Sequence, residues 1–359
     1  MISNSTIQEV IMIKTLAAVL EQLNKPLKIR ELTIPDLKPG QVLVEIAYSG
    51  VCHSQLLEIR GKRGEDKYLP HTLGHEGSGV VLEIGEGVKK VKPGDHVVLS
   101  WIKGSGADVP STIYQSSEGQ VNSGAISTFM RHTVTCENRL TPIPDTMPLR
   151  EAALLGCAIP TGAGIILNAA KVSPGSSIAI FGIGGIGLSA LLAAKMVGSA
   201  VIIAIDVLEQ KLEQAIQFGA THIINARKQD VFSCIMEITN RRGVDYAIES
   251  AGRRDSMEKA FQSVRDNGGL CVIAGNLPHG EQISINPFDL IKGKRIIGTW
   301  GGEAQPDRDI PMYVDFFLSE RLNLKKLISH MYDLREINEA LDVLEKGTMG
   351  RILIDMSEE

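Results

Sequence analysis

The sequence is poor in cysteine, and this absence excludes a disulfide-stabilised scaffold. Its five cysteines are an odd number and show no paired spacing. Such usage is typical of free thiols in a reducing compartment. Residues 1–10 include Glu9 and lack a basic segment followed by an apolar one, so no secretory signal is expected. We therefore interpret the protein as cytoplasmic.

Long basic runs and long uninterrupted apolar runs are also missing. A net charge of −5 without a basic run argues against a nucleic-acid-binding surface. The longest apolar stretch, residues 178–197, is interrupted by glycines and is not expected to span a membrane. We find no internal repeat or low-complexity segment. The 43% of hydrophobic and 22% of charged residues are ordinary for a globular enzyme, and 359 residues favour two domains.

Two of the cysteines stand in a pattern typical of a metal site. Cys52, His75 and Cys157 offer two thiolates and one imidazole, and Glu76 adds a carboxylate beside the imidazole. This ligand set suits zinc. Because the ligands are dispersed, only a folded domain brings them together, and a dispersed three-ligand site usually keeps a position open for water or substrate. Each cysteine alone would fit a buried thiol, but the combination predicts a catalytic zinc.

A second motif predicts a dinucleotide site. The apolar strand candidate 177–181 runs into Gly182, Gly184, Gly185, Ile186 and Gly187, then into a helical pattern and a second strand candidate that ends at Asp206. The acid lies 19 residues beyond Gly187, which is the expected order and spacing for this fingerprint. Backbone N–H groups at the helix start would bind a pyrophosphate. Asp206 would accept hydrogen bonds from the ribose and repel a 2′-phosphate, which predicts NAD rather than NADP.

The two halves of the chain differ in periodicity. Residues from about 14 to 150 read as short strands separated by turns, and we predict a barrel-like antiparallel domain with strands at 15–20, 42–48, 79–84 and 96–99. From about 160, strand candidates alternate with helical patterns, which predicts an α/β doubly wound parallel sheet with strands at 178–181, 201–205, 222–224, 245–249 and 270–274. The tail predicts a helix at 335–345 and a strand at 351–355 that return to the first domain.

With these motifs in this order, the chain resembles the zinc-dependent alcohol dehydrogenases of the medium-chain dehydrogenase/reductase superfamily. The resemblance runs from about residue 14 to the end. It implies a GroES-like catalytic domain over residues 1–160, completed by about 325–359, and a Rossmann NAD-binding domain over 161–324. It further implies a homodimer or homotetramer that binds a small alcohol, aldehyde or ketone, and no membrane or nucleic-acid partner.

The resemblance also implies roles for individual residues. Cys52, His75 and Cys157 match the catalytic zinc ligands, and Glu76 matches an acid that sits beside the metal or enters its coordination. Ser54 matches the hydroxyl that relays the substrate proton. His53 and Arg351 match positions that contact the cofactor pyrophosphate. Thr161 matches a position beside the nicotinamide, and Asp206 and Lys211 match the pair that holds the adenosine ribose. Trp101 matches a wall of the substrate pocket, although a core aromatic would fit it equally well.

Three departures from the family pattern matter. The stretch 100–127 has no cysteine where many members bind a structural zinc, so we predict one zinc per subunit. Gln55 stands where an aspartate usually orients the zinc-bound histidine, and its amide oxygen is expected to take that role. Leu57 stands in the substrate pocket where some members end the proton relay with a histidine, which leaves His53 as the candidate acceptor.

Substrate and assembly are less determined by the sequence. The polar residues of 100–127 suggest a polar alcohol, such as a polyol or amino alcohol, while an ethanol-like substrate stays open. Residues 295–298 are expected to pair across a twofold axis. Two alternative functions remain, a zinc-free NAD(P)H quinone or enoyl reductase of the same superfamily and a non-catalytic nucleotide-binding protein.

Overall fold

A computed structural model describes residues 13–347 and 350–357. Residues 1–10, on which the expectation about a secretory signal rests, lie outside this range. The strands are β1 (Lys14–Leu20), β2 (Lys28–Thr33), β3 (Gln41–Val51), β4 (His71–Thr72), β5 (Glu76–Ile84), β6 (His96–Ser100), β7 (Ile113–Ser116), β8 (Gly119–Asn122), β9 (His132–Cys136), β10 (Leu140–Pro142), β11 (Ser177–Phe181), β12 (Val201–Asp206), β13 (His222–Asn225), β14 (Tyr246–Glu249), β15 (Leu270–Ile273), β16 (Arg295–Gly298), β17 (Ile328–Asp333) and β18 (Arg351–Asp355).

The α-helices are α1 (His53–Ile59), α2 (Leu149–Ala152), α3 (Ala158–Gly164), α4 (Gly185–Met196), α5 (Glu209–Phe218), α6 (Val231–Ile238), α7 (Arg254–Ser263), α8 (Pro287–Ile291), α9 (Pro306–Leu318) and α10 (Ile337–Glu345). Short 3₁₀ segments lie at Glu137–Arg139, Ala153–Gly156, Gly301–Glu303, Lys325–Leu327 and Leu334–Glu336, and a π-helical turn at Ile165–Ala169. Local chemistry explains several boundaries. The Asp230 side chain, for example, accepts the N–H of Ser233 and caps α6.

The first half of the chain and its tail form two connected β-structures. A small closed barrel has the order β1-β2-β7-β8-β4, and a larger sheet has the order β10-β6-β5-β3-β18-β17, with β9 also paired to β3. The tail strand β18 pairs antiparallel with β3, so residues 351–355 return to the first domain as predicted. This pairing brings Arg351, the first residue of β18, opposite the end of β3 that leads to Cys52.

The second half forms a six-stranded, entirely parallel sheet in the order β13-β12-β11-β14-β15-β16. Alternate residues of β11 pack on opposite faces. Ile178 and Ile180 join the core with α4, whereas Ala179 and Phe181 join a second core on the other face. Strand order reverses between β11 and β12 on one side and β14 on the other, which places a crevice at their carboxyl ends.

The fold class is confirmed, and the predicted strands agree with the observed ones to within a few residues. The prediction missed β2, β4, β9, β10 and β17, and it also missed β7 and β8, which lie inside the stretch 100–127. Those two strands close the small barrel through pairing with β2 and β4. The segment is therefore part of the scaffold rather than a free loop. The domain limits at residues 160 and 324 stay a prediction.

In the described residues, no single helix is long and apolar enough to cross a membrane. The helical segments 149–156 and 158–169 meet at a 56° bend, and only the two together have the length and apolar composition of a membrane span. Core residues explain this composition, since Leu154, Leu155 and Ile159 in this pair are fully buried.

A candidate zinc and dinucleotide site

Three separate connections deliver the predicted metal ligands to one point. Cys52 precedes the first residue of α1, directly after β3. His75 lies between β4 and β5, and Cys157 lies between the 3₁₀ turn 153–156 and α3. The two sulfur atoms and an imidazole nitrogen all lie within 4.8 Å of one another. Two soft sulfurs and one nitrogen in this arrangement fit zinc, with room for a fourth ligand.

The Cys52 and Cys157 thiols lie close enough to shift each other's pKa. The Cys157 thiol bonds to Cys52, and this contact together with the His75 imidazole lowers the pKa of Cys52 well below its usual value. The same contact with Cys52, together with burial, raises the pKa of Cys157. The site is therefore prepared to present a thiolate at Cys52. A cation between the sulfurs would favour the second thiolate as well.

The Gln55 side chain contacts His75 through its amide nitrogen, whereas the amide oxygen was expected there. The Gln55 oxygen accepts the Cys52 N–H at 2.9 Å, and its amide nitrogen lies 2.6 Å from His75 Nδ1. The expectation that the oxygen faces the imidazole is therefore wrong in this geometry, because the helix start at Cys52 already uses that oxygen. With Nδ1 engaged, Nε2 is the imidazole atom left for a metal.

Ser54 and Leu57 lie on α1 beside this centre. The Ser54 hydroxyl is 3.4 Å from His75 Nδ1, so it lies next to one proposed metal ligand, and its part in a proton relay stays a prediction. Leu57 is half-buried one turn further along the helix, and it offers no proton acceptor there.

Glu76 is fully buried, but in the described residues it is not part of the three-ligand group. Its carboxylate forms an ion pair with Arg351, and its second oxygen accepts the N–H of Ala158 at 3.1 Å. This differs from the expectation that Glu76 is a metal ligand. The physical reason is the Arg351 guanidinium, which is itself 5% exposed and compensates the buried charge.

Arg351 connects the metal half of the site to the glycine turn. A Cβ at Gly185 would collide with the Arg351 side chain, so the guanidinium lies against the first turn of α4. Gly182 has φ +89°, and Gly187 approaches the Gly182 carbonyl so closely that a side chain is excluded. A Cβ at Gly184 would instead meet open space at the helix start. The turn therefore leaves a cradle of backbone N–H groups and positive charge that fits a pyrophosphate.

Asp206 closes the nucleotide end of the crevice. It ends β12, and one carboxylate oxygen accepts the Ile183 N–H of the glycine turn at 2.8 Å. The other oxygen accepts the N–H groups of Val207 and Leu208 at 2.7 and 3.0 Å. The carboxylate is thus fixed where the fingerprint predicts a ribose acceptor, and its charge disfavours a phosphate there.

His53 lies at the start of α1, near Lys211 of α5 and Arg351 of β18. Desolvation lowers the pKa of His53, and the positive charges of Lys211 and Arg351 lower it further, against the opposing effect of Cys52. The sequence prediction that His53, Lys211 and Arg351 serve one cofactor is consistent with this proximity.

Aromatic residues form one wall of the metal site. The Trp101 side chain contacts the Cys157 thiol, as does Thr161, and both act to lower the pKa of Cys157. Trp101 packs edge-on against Trp300, with ring centroids 5.3 Å apart at 87°. Trp300 is 76% exposed, which is unusual for an indole.

Sequence reasoning missed Trp300 and two buried carboxylates. Glu249 ends β14 beside the glycine turn and accepts the N–H groups of Ala251 and Gly252 at 3.0 and 2.9 Å. Glu137 accepts three backbone N–H groups from loops next to Trp101. The acid at the end of β14 was the available signal for Glu249, because side chains at this edge of a parallel sheet face the ligand crevice. Nothing in the sequence signals Glu137.

Four polar side chains of 100–127 are engaged within the scaffold. Lys103 pairs with Asp108, the Thr112 hydroxyl accepts from Gln41, and the buried Tyr114 hydroxyl accepts the N–H of Val134. These four side chains therefore give no support to a polar substrate.

Two families match the chain. Residues 38–145 match the alcohol dehydrogenase GroES-like domain, and residues 185–319 match the zinc-binding dehydrogenase domain. An S-(hydroxymethyl)glutathione dehydrogenase from Photobacterium damsela subsp. piscicida is 35% identical over 95% of this chain and 99% of its own length. Alcohol dehydrogenase 2 of Zea mays is 33% identical over 96% of this chain and 98% of its own.

Solved structures share the same architecture. An alcohol dehydrogenase zinc-binding domain protein from Burkholderia ambifaria aligns with a TM-score of 0.89 and 31% identity, covering 97% of this chain and all of that one. The benzyl alcohol dehydrogenase of Acinetobacter calcoaceticus aligns with a TM-score of 0.88 and 32% identity, covering 96% of this chain and all of that one.

Proposed function

Since the chain belongs to the zinc-type alcohol dehydrogenases of the medium-chain dehydrogenase/reductase superfamily, and is thus an oxidoreductase, we propose that it transfers hydride between an alcohol and NAD at the Cys52, His75 and Cys157 site. The observation that carries this proposal is the meeting of three dispersed ligands beside an intact dinucleotide cradle. The alternative of a zinc-free quinone or enoyl reductase lacks support, because such an enzyme has no need of these ligands. A non-catalytic protein would be expected to lose them.

The donor set supports zinc, and the cradle supports NAD. When bound, zinc supplies a Lewis acid that lowers the pKa of a coordinated hydroxyl, and NAD supplies the hydride acceptor. Cys52, His75 and Cys157 would hold the metal. Arg351 and the backbone at Gly184 and Gly185 would hold the pyrophosphate, and Asp206 would hold the ribose and disfavour NADP.

The remaining residues of the site position the substrate and carry its proton. The Ser54 hydroxyl, 3.4 Å from His75 Nδ1, would take a proton from the alcohol oxygen and pass it on. His53, exposed at the start of α1, is the next acceptor toward solvent, since Leu57 offers none. Thr161 is buried beside the Cys157 thiol, and its match to the family position beside the nicotinamide supports a role at that end of the cofactor.

The substrate class follows from Trp101 and Trp300. The Trp101 indole contacts the Cys157 thiol and Trp300 packs edge-on against Trp101, which favours an alcohol with an apolar ring over a polyol. One solved relative is named a benzyl alcohol dehydrogenase, which agrees with this preference. We therefore propose an arylmethanol or similar alcohol as substrate.

The experiment is a panel of benzyl alcohol, ethanol, a polyol and an amino alcohol, assayed by NADH formation with zinc-containing protein. We expect the highest kcat/KM for benzyl alcohol and a preference for NAD over NADP. Zinc-loaded protein that fails to bind NADH would contradict the proposed function. A preference of about tenfold or more for NADPH, or about 1.4 kcal/mol, would favour the quinone or enoyl reductase instead.

A further inference from the structure

A second group of ligand side chains lies outside the site described above. Glu58, Asp66 and His71 place one carboxylate oxygen each and an imidazole nitrogen within 4.8 Å of one another. His71 Nε2 is 2.8 Å from Asp66 Oδ2 and 3.9 Å from Glu58 Oε1. We call these three residues the His71 cluster. It shares no residue with the zinc or dinucleotide site.

The His71 ring is fixed with one nitrogen directed into the cluster. The residue is 7% exposed, and its Nδ1 lies 3.0 Å from the backbone carbonyl of Thr72. A carbonyl oxygen only accepts, so Nδ1 carries a proton. A neutral His71 therefore directs the Nε2 lone pair at two carboxylates. Metal-binding histidines show this arrangement, with the second ring nitrogen donating to a carbonyl or carboxylate.

Three electron-rich atoms facing one another require a positive occupant. One occupant is the hydrogen of an Nε2–H group that donates to Asp66. The other is a divalent cation. Ligand atoms bound at about 2.1 Å with right-angle or tetrahedral geometry lie about 3 to 3.4 Å apart, within the observed range. The nearby positive charge is the exposed Arg63, which lies 3.4 Å from the other oxygen of Glu58 and holds it only weakly.

We propose that the His71 cluster binds a divalent cation through one nitrogen and two oxygens. The donor set is harder than the two sulfurs of the zinc site, so it accepts Mn²⁺ as well as Zn²⁺. Asp66 keeps Oδ2 for the cation because its Oδ1 accepts the Tyr68 N–H at 2.9 Å. The cation would join the last turn of α1 to β4, thereby closing the segment between Cys52 and His75.

The test is a Mn²⁺ titration of the full-length protein carrying one zinc per chain, in which the paramagnetic resonance signal of free Mn²⁺ is measured. We expect one bound Mn²⁺ per chain in addition to the catalytic zinc. Glu58→Gln and His71→Gln should weaken this binding by roughly tenfold or more, since each removes a ligand. Glu65→Gln, which changes an exposed acid of the same loop, should bind Mn²⁺ like the unaltered protein.

Glu58 is half-buried, so Glu58→Gln tests the proposal even where the buried His71→Gln fails to fold. A rise in Tm on adding Mn²⁺, present in the unaltered protein and in Glu65→Gln but lost in Glu58→Gln, is the second expected readout. No Mn²⁺ binding, or binding that Glu58→Gln leaves unchanged, would overturn the proposal and leave His71 and Asp66 as a hydrogen-bonded pair. This outcome does not depend on alcohol oxidation, so it is separate from a failure of the proposed function.

Discussion

At the scale of single residues, Gln55 is the position where this chain departs most consequentially from its family. Its one carbonyl oxygen is used by the Cys52 N–H, and its amide N–H₂ faces His75 Nδ1. Binding a metal through Nε2 requires a proton on Nδ1, which places two donors against each other. If the Gln55 amide is turned by 180°, its oxygen accepts from His75 Nδ1, but its N–H₂ group then faces the Cys52 N–H, so two donors still oppose each other.

A carboxylate at this position has two acceptor oxygens and satisfies both N–H groups. We therefore expect Gln55→Glu to retain zinc against a chelator roughly tenfold longer than the unaltered protein. The measurement is the rate of zinc transfer to a chromophoric chelator, with the exposed Gln120→Glu as control. Equal or faster zinc loss in Gln55→Glu would show that the amide does not limit metal binding.

Glu249 provides a pH-dependent prediction. Burial raises the pKa of Glu249 to about 7, despite hydrogen bonds from backbone N–H groups. The unfolded chain releases this proton near pH 4.5, so between pH 4.5 and 7 the folded state holds more protons and stability falls as pH rises. The effect is at most about 3 kcal/mol above pH 7.

Glu249→Gln removes this titration. The Tm difference between Glu249→Gln and the unaltered protein should therefore shift in favour of the variant as pH rises from 5 to 8, whatever its constant offset. Thermal unfolding at several pH values measures it, with the exposed Glu237→Gln as control. A Tm difference that does not change with pH would contradict the buried, uncharged state of Glu249.

At the scale of elements, the stretch 100–127 shows how a segment is fixed without the cysteines that many relatives carry there. Glu137 accepts the N–H groups of Lys89, Lys90 and Ala107, each at 2.8–2.9 Å. Asp307 of α9 adds the N–H of Ser105 at 2.6 Å and the ammonium of Lys90 at 2.5 Å. The carboxylates connect the loops around Trp101 in place of a metal.

Burial raises the pKa of Glu137, but the N–H groups of Lys89, Ala107 and Lys90, together with the Lys90 charge, lower it below its usual value overall. Its stabilising effect is thus complete above about pH 4.5 and is lost as pH falls through the lowered pKa. Glu137→Gln loses an acceptor and should cost about 1–3 kcal/mol at pH 7.

The difference in Tm between Glu137→Gln and the unaltered protein should shrink below about pH 4.5. Glu83→Gln, at an exposed position of β5, serves as the control. A Glu137→Gln variant as stable as the control at pH 7 would show that the carboxylate does not fix these loops.

The strands of the parallel sheet were predictable because buried β-branched runs such as Ser177–Phe181 have little alternative. The zinc ligands and the glycine turn were predictable because their chemistry restricts residue types. The short strands β7 and β8 were not, since neither alternates clearly. The pairing of Glu76 with Arg351 was not predictable, because these residues are far apart in the sequence. The Gln55 orientation was not predictable either, because both the Cys52 N–H and His75 can bond to its single amide oxygen.

At the scale of the whole molecule, the edge of the six-stranded sheet is the place where a second copy is expected. Among the described strands, β16 pairs only with β15, and its other edge is free. Several exposed apolar side chains lie on or next to it, namely Phe288, Leu290, Ile291, Ile297 and Trp300. An exposed apolar edge favours pairing with another chain. We propose that β16 forms the dimer contact, while the choice between dimer and tetramer depends on a further interface.

Placing a lysine on this edge sets two like charges close together across a twofold axis. Ile297→Lys should therefore shift the assembly toward monomers in light scattering after size-exclusion chromatography. Ile113→Lys, at an exposed position of β7 in the barrel, should not. Assembly unaffected by Ile297→Lys would place the contact elsewhere on the molecule.

The claim on which the function depends is that Cys52, His75 and Cys157 hold one zinc. The most direct test is metal content per chain, by elemental mass spectrometry, after gel filtration into metal-free buffer, for the unaltered protein and for Cys52→Ser. We predict about one zinc per chain less in Cys52→Ser than in the unaltered protein, since zinc bound at the His71 cluster would be common to both. Zinc absent from the unaltered protein even after reconstitution, or present equally in Cys52→Ser, would contradict the account and return the zinc-free reductase to consideration.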